Sequence, residues 1–265
     1  MASYTTEVRS VPDPAAIAAD GIPARDRLGG AVPSPAAAFL LALIALPTLF
    51  WLIALKRTTG NIEPEGWLMG TLVPSLQSWV HTHVPALDIV LLGISALGSG
   101  WFVALGFAVA GLLALSRRRP DLALLLAIGT LCFPMEWALK YFTSVEPISL
   151  AQLVNAIFNV GGVGLDDLTD FPAGHALRAT VFYGLVAFII ALTSPGRRRG
   201  LAAYGVALVL IVAISLIRIY FGFHFPIDVI GGWIAGAALL SVIVAIHVLN
   251  VDERVRARRR TAAAV

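Results

Sequence analysis

Read from the N-terminus, the chain alternates long apolar runs with short polar breaks. The apolar runs are Ala36–Leu55, Ile89–Leu115, Leu122–Leu139, Ala176–Leu192, Leu201–Ile217 and Val229–Leu249. Each is near the roughly 20 residues that carry an α-helix across a bilayer. Most stop at basic residues: Lys56 and Arg57, Arg117 to Arg119, Lys140, and Arg197 to Arg199. The pattern predicts an all-α polytopic membrane protein, a six-transmembrane-helix bundle. Between the first two runs, Met69, Leu72, Val73, Leu76 and Val80 recur at helical spacing, with Trp67 and Trp79 as interface anchors. They predict a short interfacial helix over 67–84, kinked near Pro74. Residues 1–35 are polar and Ala/Pro-rich and read as a disordered cytoplasmic tail. Residues 36–250 read as the membrane domain. Residues 251–265, with Arg258, Arg259 and Arg260, read as a basic cytoplasmic tail.

Composition narrows the class. The chain is 58% hydrophobic and 13% charged, with a mean hydropathy of +0.84. An ordinary soluble domain carries about 25% charged residues. So few charges cannot cover a globular surface, which excludes a soluble enzyme, a disordered protein and a nucleic-acid module. The single cysteine, Cys132, lies in an apolar run and leaves no disulfide framework and no Cys-based metal cluster.

Charge then sets orientation. With both termini cytoplasmic, fourteen of the 19 Lys and Arg residues fall inside. Five fall outside: Lys56, Arg57, Lys140, Arg178 and Arg218. The positive-inside rule favours this arrangement, with Lys56 and Arg57 as the pair that fits it worst. The 140–178 and 218–228 regions are then expected to face outward, from a bacterial inner (plasma) membrane.

Ionisable residues at helix ends in such a protein mark function. Three groups stand at the outward ends of spans three to six. The first is Arg218-x5-His224-x3-Asp228, with Tyr220 and Gly222 between. His224 and Asp228 are four apart, so on one helical face the carboxylate reaches an imidazole nitrogen. That bond sets the tautomer and leaves the other nitrogen as nucleophile or base. Arg218 brings forked donors suited to phosphate. The second is Pro172-Ala173-Gly174-His175, opening span four. Free N–H groups at that helix start make an anion site, and His175 there can protonate a leaving oxygen. The third is Lys140, a phosphate cation, with Glu136 one turn earlier as its expected i,i+4 partner. Two histidines, several cations and one carboxylate fit metal-independent phosphoryl transfer through a phosphohistidine. His224 attacks phosphorus, Asp228 orients it, and His175 protonates the departing oxygen and then activates water. Lys140, Arg218 and the Gly174–His175 amides hold the equatorial oxygens.

Other polar groups read as structural. His81 and His83, at i,i+2, do not face one another and have no third ligand nearby. Asp166, Asp167 and Asp170 read as a solvated, Gly-rich loop.

On these residues the chain resembles the type-2 phosphatidic acid phosphatase superfamily of membrane lipid phosphatases. The third signature of that family, Ser-Arg-x5-His-x3-Asp, matches at Arg218, His224 and Asp228, with Ile217 in place of Ser. The second, Pro-Ser-Gly-His, matches 172–175 with Ala173 in place of Ser. The first, Lys-x6-Arg-Pro, keeps Lys140, but Glu146-Pro147 follows one residue early with Glu in place of Arg. The resemblance covers residues 136–236. It implies a six-helix bundle, an outward active site at the membrane surface, and lipid phosphates or diphosphates as substrates: prenyl diphosphate, phosphatidic acid or phosphatidylglycerol phosphate. Each departure removes a phosphate contact, at about 1.5–3 kcal/mol, or one to two decades of rate at most. Arg178, one turn after His175, is the expected replacement for the missing cation. No cofactor, metal or nucleic-acid partner is expected; the partners are the bilayer and its lipid phosphates. The alternatives are a lipid phosphotransferase or headgroup transferase sharing the phosphohistidine step, and a catalytically weakened lipid-binding member. A transporter fits less well, because the polar residues cluster at one face rather than at the midplane.

Overall fold

The computed structural model describes residues 32–59, 64–143, 171–194 and 196–263. Most of the 1–35 tail, Glu146-Pro147 and Asp166, Asp167 and Asp170 lie outside the described residues. The helices are α1 (Pro35–Thr59), α2 (Pro64–Trp67), α3 (Val73–His83), α4 (Pro85–Ala96) and α5 (Gly100–Ser116). They continue with α6 (Pro120–Gly129), α7 (Cys132–Thr143), α8 (Gly174–Thr193), α9 (Arg197–Tyr220) and α10 (Pro226–Ala263). Proline opens α1, α2, α4, α6 and α10, where its missing N–H is an orphan in any case and its fixed φ suits the first turn.

Among the described residues, five helical segments are long and apolar enough to cross a membrane, or up to six if a bent pair counts as one. The five are Pro35–Thr58, Pro120–Thr143, Gly174–Thr193, Arg197–Tyr220 and Pro226–Asn250. They reproduce expected spans one, three, four, five and six.

The second span differs. The 89–115 run is two helices, α4 and α5, separated at Leu97–Ser99. Ser99 caps α5 by accepting the Phe102 N–H at 3.3 Å. On the other side of the break, side chains from α8 satisfy the free carbonyls: Tyr183 Oη donates to Leu97 O at 3.0 Å, and Arg178 Nε donates to Gly98 O at 3.3 Å. An apolar run therefore conceals a break held both by a local cap at Ser99 and by side chains of a distant helix.

Two smaller irregularities follow from proline. The α6–α7 break at Thr130–Leu131 precedes Pro134, which has no N–H to offer the Thr130 carbonyl. That carbonyl accepts Phe133 N instead, at 3.1 Å. A helix forms over the stretch expected to be interfacial, with a π-helical turn over Leu68–Leu72 just before Pro74. This helix and α4 meet at 119°, so α3 and α4 form a bent pair. The expected basic tail is also helical, since α10 continues to Ala263.

The centre of the bundle is α8, buried from Gly174 to Val181 on every side. It packs against α9 and α10, and α10 packs along α1. Gly232 and Gly236, four apart on α10, let the helices meet backbone to backbone. A Cβ at Gly232 would stand 2.6 Å from Ala173 O, and one at Gly236 2.9 Å from Leu177 O. This is the small-xxx-small arrangement of membrane helix pairs. Away from that seam, Phe39, Leu43 and Phe50 on α1 and Val206, Leu208 and Val209 on α9 are exposed and apolar, as lipid-facing surfaces must be.

Candidate active site

The expected site residues gather at one end of the bundle: the end of α7, the start of α8, the end of α9 and the start of α10. The start of α8 is tied to α10 by Ala173 N donating to Asp228 O at 2.9 Å. The end of α7 is tied to the same place by Thr143 Oγ1 donating to Phe171 O at 2.8 Å. The second and third motifs, about fifty positions apart in sequence, are thereby joined by a backbone hydrogen bond.

Local sequence explains the turn that carries His224. Helix α9 ends in a Schellman motif, with Gly222 N bonded to Ile219 O at 2.9 Å and Phe223 N to Arg218 O at 3.0 Å. The motif needs a left-handed residue, and Gly222 supplies it at φ +73°. Arg218 is thus fixed to the turn by its carbonyl, while its guanidinium stacks 4.2 Å over the Phe223 ring.

Helix α10 begins at Pro226, so His224 lies before the helix in the turn. The expectation of a shared helical face for His224 and Asp228 is corrected accordingly. Asp228 instead occupies the third helical position and reaches back, its Oδ2 accepting Phe225 N at 2.9 Å. That is the carboxylate half of a capping box. His224 is 1% exposed and Asp228 0%.

The second expectation to be corrected concerns Glu136. It is fully buried and ion-paired with Arg178 of α8, not with Lys140 on its own helix. Arg178 is buried too, and Nη2 lies 3.3 Å from His175 Nδ1. A guanidinium only donates, so in this contact Nδ1 accepts and the ring hydrogen sits on Nε2. Gly174 is required by closeness: a Cβ there would fall 1.9 Å from Glu136 Oε1. Lys140 is 2% exposed on α7.

One residue was missed by sequence reasoning. Lys56, at the end of α1, places Nζ 3.0 Å from Asp228 Oδ1. The available signal was its misfit with the inside–outside count of charges. His81 and His83 lie on α3 rather than in a loop. His81 Nδ1 lies 3.4 Å from Asp88 Oδ2, and His83 stacks on Trp79. Asp88 also accepts Tyr220 Oη at 2.8 Å, which ties α4 to the end of α9.

The fold and the polar cluster define an integral membrane protein with buried histidines, cations and carboxylates gathered at one end of its helices. The sequence profile described as PAP2 superfamily matches residues 91–252. The chain belongs to that superfamily, and it is a membrane lipid phosphate phosphatase. A curated relative, phosphatidylglycerophosphatase B of Bacillus subtilis (strain 168), is 26% identical over 162 residues, covering 60% of this chain and 74% of the relative. The crystal structure of a transmembrane PAP2-type phosphatidylglycerolphosphate phosphatase from Bacillus subtilis shares the fold, with a TM-score of 0.54 and 22% identity. That likeness covers 79% of this chain and 94% of the other.

Proposed function

We propose that the protein hydrolyses a lipid phosphate or diphosphate at the outer membrane face through a phosphohistidine, without a metal ion. His224 attacks phosphorus as the bond to the lipid oxygen breaks, forming a P–N bond. His175, once protonated, gives a proton to the departing oxygen and returns to the neutral ring. It then takes a proton from water, whose oxygen attacks phosphorus and breaks the P–N bond, releasing inorganic phosphate. Asp228 stabilises the charge that develops on His224. Lys140, Arg218 and the Gly174–His175 amides hold the phosphoryl oxygens. The observation that carries this reading is the bond between Ala173 and Asp228, which brings the second and third motifs to one place.

Arg178 takes a different role from the phosphate contact expected of it. Its guanidinium is engaged by Glu136, Gly98 O and His175. The guanidinium at Nδ1 fixes the ring and turns Nε2 to the far side, so Arg178 acts through His175. Among the candidate substrates, phosphatidylglycerol phosphate comes first, because the curated relative is a phosphatidylglycerophosphatase. The test is a phosphate-release screen over lipid mono- and diphosphates in EDTA. Wild type releases phosphate from at least one lipid, and His224→Ala releases none. An active His224→Ala protein refutes the mechanism.

A further inference from the structure

We propose that Lys56 is a positioning residue of the active site, supplied by α1, that holds the Asp228 carboxylate charged and fixed beside the turn carrying His224. The inference rests on the phosphohistidine reading above. Asp228 is 0% exposed. A charged carboxylate so buried is costly to hold without a cation beside it. Lys56 Nζ supplies the cation at 3.0 Å from Oδ1, while Phe225 N–H takes Oδ2 at 2.9 Å. The two oxygens are thereby pinned by groups from two different elements. A carboxylate has about four lone-pair sites, so a histidine N–H can be added without displacing either partner.

The ammonium is itself held in place. It lies 5.4 Å over the Phe225 ring, and the Lys56 side chain is only 13% exposed. The nearby cation on α8, Arg178, is neutralised by Glu136 and directed at His175. Lys56 lies outside the 91–252 stretch that matches the family profile, so the family motifs do not identify it. Its place at the site also explains a basic residue on the side where the charge rule disfavours one. The charge serves the carboxylate rather than the topology.

The experiment uses the purified full chain in detergent micelles, with phosphatidylglycerol phosphate and phosphatidic acid as probes. Lys56→Met lowers kcat by about 100-fold, the scale of a small misplacement at the reacting centre, and leaves KM within about twofold. Lys56→Arg restores most of the turnover. Arg57→Met, on the neighbouring exposed residue, changes neither constant. In an Asp228→Asn background, Lys56→Met causes no further loss. Full turnover in Lys56→Met, or a raised KM at unchanged kcat, overturns the inference; the latter marks a direct phosphate contact. If Lys56→Met alone fails to fold, the pair Lys56→Met/Asp228→Asn, which removes both charges, folds better. A double variant no better than the single one overturns the pairing. His224→Ala in the same assay separates the two levels. An inactive His224→Ala with a fully active Lys56→Met sinks only this inference, whereas an active His224→Ala sinks the reading beneath it.

Discussion

Glu136 and Arg178 illustrate how much a residue's role depends on what faces it. Each sits in an apolar helix, and on sequence spacing alone Glu136 belongs with Lys140, one turn away on its own helix. Across the α7–α8 contact it meets a guanidinium instead, and two buried charges cancel. Removing one partner leaves the other buried and uncompensated, at a cost of about 3–5 kcal/mol. Glu136→Ala is therefore expected to lower the thermal unfolding temperature sharply in detergent. Replacing both partners, as in Glu136→Met/Arg178→Leu, recovers most of that stability. It does not recover turnover, because His175 has lost the donor at Nδ1. A double variant with wild-type kcat removes the role given to Arg178. The residue types of the site were legible in the sequence: His175, His224, Asp228, Lys140 and Arg218 all stand at one end of the bundle. Their pairings were not, because an ion pair between helices leaves no spacing signal.

At the scale of the element, two glycine features decide where the site residues go. Gly222 ends α9 with a left-handed turn, and the Schellman bonds hold Arg218 and the His224 turn together. A Cβ there costs about 1–2 kcal/mol in that conformation. Gly222→Ala is expected to reduce kcat more than its modest loss of stability explains, measured by turnover beside thermal unfolding. Equal wild-type turnover at reduced stability counts against a positioning role for the turn. Gly232 and Gly236 act differently, by letting α8 and α10 touch. Gly236→Leu places a side chain where Leu177 O already stands 2.9 Å from a bare Cβ. The expected outcome is loss of the folded bundle, read by gel filtration and unfolding. The break between α4 and α5 belongs to this scale as well. Hydropathy sees one run, because Leu97, Gly98 and Ser99 interrupt it too briefly to register.

For the whole molecule, the ends of α1, α7 and α9 and the starts of α8 and α10 meet on one side. That is the arrangement expected of a bundle whose chain enters and leaves from the other side. The orientation in the membrane follows from charge: the basic triplets are expected on the inner face and the site on the outer. Reporter fusions at residue 160 and residue 265 should report opposite sides, outer and cytoplasmic respectively. A same-side result overturns the topology. Pairing with Asp228 gives Lys56 a reason to stand on that side of the bundle, while exposed Arg57 stays an exception to the charge rule.

The sequence by itself determined the class of the protein, most of its spans and which polar residues stand out in an apolar chain. The physical reason is that bilayer thickness, proline at helix starts and the cost of ionisable groups in an apolar chain all act locally along the sequence. The tertiary structure decided which of those charges meet. It paired Glu136 with Arg178, set Arg178 on His175, and brought Lys56 from α1 to Asp228 on α10. Such contacts join residues far apart in the chain. They depend on helix crossing geometry, at Gly232 and Gly236 above all, rather than on any periodicity a single helix can display.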